Sequence, residues 1–168
     1  HPTVEGHQLI ADRIATRLEN EGIVSADAGE TSKGKAPIAA ALSSLKPEYY
    51  ALKDLNLGKV MTWAKQYEEA RESLERAERV MPENAEIQTH LGEVYTALGQ
   101  SGKAVSAYRL AVAGKPDDAS LHNNLGNAYE AQGKHEMALK EYKIALRLNP
   151  ENPLTHNNLG NIHAARGD

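Results

Sequence analysis

Six asparagines, in two copies of one hexapeptide, are the residues here whose type and spacing most suggest chemistry. The string His-Asn-Asn-Leu-Gly-Asn occupies residues 122–127 and again 156–161, giving Asn123, Asn124 and Asn127 in one copy and Asn157, Asn158 and Asn161 in the other. A carboxamide offers one acceptor oxygen and two N–H donors. A ladder of such groups can pair with the backbone of an extended peptide without reading its sequence. Lys59 adds a cation and Trp63, the single tryptophan, a candidate apolar anchor. His90, His122 and His156 raise the question of a metal ladder, but His90 lies two positions off the register shared by the other two. Packed helices stand about 10 Å apart, too far for imidazoles on neighbours to share a zinc at about 2.1 Å each. These histidines are therefore expected to pack or to face solvent, with no metal or cofactor. Trp63 is expected to pack against residues 36–45.

The elements that must carry these side chains repeat. Leu57, Leu91, Leu125 and Leu159 fall 34 residues apart, each followed by a glycine: Gly58, Gly92, Gly126 and Gly160. Ala70, Ala104 and Ala138 share the same period, as do Ala77, Ala111 and Ala145, and Pro82, Pro116 and Pro150. A fixed period of this length indicates a stacked array of one supersecondary unit. Within a unit, Ala138, Tyr142 and Ala145 are spaced i, i+4, i+7, one face of a helix. A glycine inside a helix costs roughly 1 kcal/mol relative to alanine, so Gly58, Gly92, Gly126 and Gly160 are expected where two backbones approach closely. Gly99, Gly133 and Gly167 fall between paired helices, where a turn needs a residue tolerant of positive φ. The prolines stop the second helix of each unit.

This lattice, Leu-Gly-x-x-Tyr followed by Ala-x-x-x-aromatic and a closing Pro, resembles the tetratricopeptide repeat (TPR). The resemblance implies an all-α solenoid of helical hairpins, about three and a half repeats long: residues 51–84, 85–118, 119–152 and a partial fourth at 153–168. It also implies a concave groove lined by the first helix of each unit. By position, Leu55, Lys59, Thr89, Glu93, Asn123, Asn127, Asn157 and Asn161 would face that groove, with Asn124 and Asn158 as a second row. The implied function is a protein–protein interaction scaffold that holds a peptide or partner segment. In some family members Lys, Asn and Arg on successive first helices clamp an acidic chaperone tail. Here Lys59 and Asn124 supply only single elements of such a clamp, and Glu93 would repel a carboxylate.

The totals are those of a folded protein: 168 residues, 40 % hydrophobic and 25 % charged, with no apolar run long enough to cross a bilayer. A net charge of −4 without a basic block argues against nucleic acid as a partner. The absence of cysteine excludes disulfides and thiolate-ligated zinc but leaves the compartment, cytoplasm or periplasm, open.

Residues 1–23 do not fit the repeat. His1-Pro2-Thr3, Gly6-His7 and an amphipathic stretch with Ile10, Ile14 and Leu18 resemble the C-terminal end of an SGNH (GDSL-type) hydrolase. That resemblance implies His1 as a catalytic base in a serine ester hydrolase whose remaining active-site residues precede the chain. The repeats would then be an appended targeting or oligomerisation module, and the native N-terminus would lie upstream. Residues 24–35 read as a polar linker, and residues 36–50 as a degenerate repeat or capping helix whose Pro47 resembles a repeat-ending proline. Further along, the mixed charges of residues 67–80 read as a solvated face, and Gly114 is expected to fray its helix early. The fourth unit stops after one helix, which is expected to be the most labile and to leave a surface open to self-association.

Overall fold

The structure is a computed structural model that describes residues 47–166. Seven helices and no strand occur among the described residues: α1 (Pro47–Trp63), α2 (Tyr67–Val80), α3 (Ala85–Ala97), α4 (Ser101–Gly114), α5 (Ala119–Glu130), α6 (His135–Leu148) and α7 (Pro153–Arg166). The readings of residues 1–46, with His1, the linker and the capping segment, lie outside the described residues, as does Gly167. Helices pair as α1/α2, α3/α4 and α5/α6, and each second helix then packs on the first helix of the next pair, α7 closing the series on α6. The fold is the expected all-α solenoid of helical hairpins.

The hairpin turns share one geometry. Gly99 and Gly133 hold φ at 71° and 70°, and the amide of the residue after each glycine donates back to Tyr95 O (2.8 Å) and Tyr129 O (3.0 Å). These are left-handed helix terminations. Lys65 holds the same place in the first hairpin at φ 59°, a conformation glycine would adopt without strain. The connections between hairpins are also copies. The side-chain oxygens of Asn84, Asp118 and Asn152 cap α3, α5 and α7, each accepting from two backbone amides of the first turn.

Packing explains the small residues. A Cβ built on Gly58 would lie 2.5 Å from Leu74 Cγ, and one on Gly92 would lie 2.6 Å from Tyr108 Cε1. A Cβ on Gly126 would run into the Tyr142 ring, whereas one on Gly160 meets no atom within 4 Å, there being no second helix against α7 among the described residues. Ala70, Ala104 and Ala138 are fully buried, as are Leu91 and Leu125 at equivalent places. Ile162 and Leu159 bring α7 onto this core.

Four expectations need correction. Pro47 does not end a repeat; it is the first residue of α1, where its missing N–H would have had no helical partner. Gly114 does not shorten α4, which runs 14 residues like α2 and α6. A Cβ on Gly114 would come 2.9 Å from the Ala85 Cβ at the start of α3, so the residue marks a close approach. Leu55 is buried between helices and not groove-lining. Trp63 is not packed but 87 % exposed; it lies about 140° around α1 from Gly58, away from the buried face. The charged face of α2 is, as expected, solvated and paired within itself: Arg71 bonds Glu68 and Glu75 at 2.9 and 3.0 Å.

Candidate functional site

The asparagines divide into two sets. Asn123 is nearly buried, and its Oδ1 accepts from Thr155 Oγ1 (3.0 Å) and Asn158 Nδ2 (3.2 Å). Asn127 Oδ1 accepts from Asn158 Nδ2 (2.8 Å) and lies 2.7 Å from the Tyr142 hydroxyl. That hydroxyl is also 2.8 Å from Glu130 Oε2, so two acceptors share its one proton. Burial, and then the Glu130 bond, push the phenol well above its ordinary range. Asn123, Asn127 and Asn158 thus knit α5, α6 and α7 into one polar joint. Asn124, Asn157 and Asn161 make no hydrogen bond to any described residue, and Asn157 and Asn161 are exposed while Asn124 is half-buried. The repeat itself makes this division: one hexapeptide copy accepts where the other donates, which hydropathy patterning does not reveal.

The charged residues of the same helices are already engaged. Lys59 Nζ donates to Glu86 Oε1 at 2.7 Å, tying α1 to α3 and holding the Glu86 carboxyl below the usual carboxylate range. Exposed pairs of this kind contribute about 0–1 kcal/mol. Glu93 pairs with His90 at 2.8 Å, and Thr89 Oγ1 donates to its own helix at Ala85 O. Lys59 is therefore not a free cation, and among the described residues no run of basic side chains lines the first helices.

Two of the histidines serve the joints. His156 Nε2 bonds Pro150 O at 2.8 Å, and His122 Nε2 bonds Pro116 O at 2.9 Å. Gln88, in the same register, donates Nε2 to Pro82 O at 2.8 Å. This clasp from each first helix to the preceding proline carbonyl was legible as the 34-residue match of Gln88 with His122 and His156, had hydrogen-bonding capacity been compared instead of residue identity. His122 Nδ1 also meets Glu141 Oε2 at 2.7 Å.

Residues 58–99, 92–133 and 131–167 match the family described as TPR repeat. The first TPR of Spaghetti (RPAP3) bound to the HSP90 peptide SRMEEVD is similar over 72 % of this chain and 96 % of its own, at 27 % identity and a TM-score of 0.68. The first TPR domain of human RPAP3 is similar over 71 % of this chain and 94 % of its own, at 28 % identity and a TM-score of 0.66. A Thermobaculum terrenum O-GlcNAc transferase is similar over 71 % of this chain and 23 % of its own, at 26 % identity and a TM-score of 0.64. No curated protein matches the sequence. The hydrolase resemblance of residues 1–23 gains no support from these comparisons, whose family match begins at residue 58. Matched over well more than half its length, and built of the same hairpin three times, the chain belongs to the TPR repeat family.

Proposed function

We propose that this array is a protein–protein interaction scaffold whose first helices hold an extended peptide through backbone contacts. The observation that carries this reading is the set of open carboxamides at Asn124, Asn157 and Asn161, on two successive first helices with no internal partner. Asn127 flanks them with its Nδ2 donor and Asn158 with its Oδ1 acceptor, and Asn123 acts beneath as a positioning residue, fixing Asn158 and Thr155. Similarity to the RPAP3 domain seen with an HSP90 peptide supports peptide binding as a mode. The peptide class differs, because Lys59 is neutralised by Glu86 and Glu93 adds negative charge. The preferred occupant is an uncharged, extended segment.

Selection from a displayed library of short peptides tests this. Retained peptides should be extended and poor in acidic residues, and the triple variant Asn124→Ala, Asn157→Ala, Asn161→Ala should weaken them at least ten-fold, or about 1.4 kcal/mol, while leaving the melting curve unchanged. Peptides that bind this variant as tightly as the parent would refute the reading.

A further inference from the structure

A cleft of about 280 Å³ opens between α2 and α4 with α3 as its floor, lined by Glu78, Gln88, Tyr95, Lys103, Ala107 and Leu110. None of these is an asparagine of the proposed peptide site. Gln88 is 1 % exposed, and its Nε2 reaches two acceptors, Glu78 Oε1 (2.9 Å) and Pro82 O (2.8 Å). Its Oε1 has no hydrogen-bond partner. Turning the amide over would not help, since oxygen would then face both acceptors. A buried carbonyl without a donor has given up its water and gained nothing in return, so a donor that reached it would be favoured.

The next joint shows why the space is open. There His122 stands in the place of Gln88, and Glu141, in the place of Ala107, bonds it at 2.7 Å. The Ala107 methyl leaves open the space that the Glu141 carboxylate takes up one repeat later. The polar atoms that remain are mostly acceptors: Gln88 Oε1, the second Glu78 oxygen, and the hydroxyl oxygen of Ser106, whose proton goes to Gly102 O. The Tyr95 ring already carries a cation, with Lys103 Nζ 5.2 Å from its centroid.

We propose that this cleft receives an arginine side chain of a partner protein. The guanidinium stacks on Tyr95 in place of the Lys103 ammonium and donates to Gln88 Oε1 and Glu78. A planar fork of five donors suits an acceptor-rich slot beside an aromatic face better than a point charge does. Lys103 is the internal cation that covers the ring when no partner is bound.

The test is an NMR titration of the full chain with N-acetyl-arginine amide, using N-acetyl-citrulline amide as the uncharged analogue of the same shape. Saturable shifts are expected at the Gln88 side-chain amide and around Lys103 and Ala107, with a clearly weaker response to citrulline. Lys103→Ala removes the competing cation and should tighten binding about three-fold. Gln88→His combined with Ala107→Glu rebuilds the closed joint and should abolish binding; if that variant does not fold, the Lys103→Ala arm still decides. No saturable shift, an equal response to citrulline, or weaker binding by Lys103→Ala would overturn the proposal. Shifts confined to the α2–α4 cleft also separate it from peptide binding at the asparagines.

Discussion

Lys65 stands in the first hairpin where Gly99 stands in the second, and both backbones are left-handed, at φ 59° and 71°. The repeat geometry demands this conformation of whatever residue occupies the turn. A side chain there costs about 1 kcal/mol relative to glycine. Lys65→Gly should therefore raise stability by about 1 kcal/mol, measured as a shift in the denaturant midpoint at unchanged slope.

Equivalent glycines should respond with opposite signs. Gly126→Ala drives a methyl into the Tyr142 ring between α5 and α6 and should cost about 1–3 kcal/mol. Gly160→Ala meets open space and should instead gain up to about 1 kcal/mol of helix propensity. Thermal melts of the two variants check this. A loss at Gly160 would mean that its face is covered.

The clasps can be separated by exchanging one joint for the other. His122→Gln keeps a donor for Pro116 O but strands the Glu141 carboxylate, whose side chain is largely buried, and should cost about 1–3 kcal/mol. Adding Glu141→Ala reproduces the Gln88–Ala107 pair of the previous joint and should recover part of that loss. A double-mutant cycle measures the coupling, and simple additivity would refute it.

Stability should fall in alkali. Burial pushes the Tyr108 hydroxyl up to about 12, and burial likewise raises Tyr95 and Tyr142. Each phenol is neutral in both folded and unfolded chains below pH ~10, the ordinary tyrosine value. Above it, the unfolded chain releases protons that the folded one retains, so the stabilisation is complete below pH ~10 and is lost as pH rises through the folded values. For Tyr108 alone the loss is of order 2 kcal/mol. Denaturant midpoints measured between pH 8 and pH 12 should drop, and Tyr108→Phe should reduce that drop.

Hydrogen exchange should find α7 the least protected helix, because among the described residues it packs on one side only, against α6 and α5, and a Cβ on Gly160 meets no neighbour. Protection equal to that of α5 would show that the face is covered in solution.

Periodicity determined the fold, the hairpin turns at Gly99 and Gly133, and the close approaches at Gly58, Gly92 and Gly126, because each is a local demand on backbone or volume renewed every 34 residues. It misjudged Pro47, Gly114, Leu55 and Trp63, whose roles depend on which neighbour happens to stand opposite. Only the tertiary structure decided which asparagines are spent and which are open. Asn123 and Asn157 are the same residue in the same register, yet one is nearly buried against Thr155 and Asn158 and the other is exposed. A hydrogen bond belongs to a pair of groups, and its second member lies on another helix, 32 to 35 residues away in these cases, where no single register can announce it.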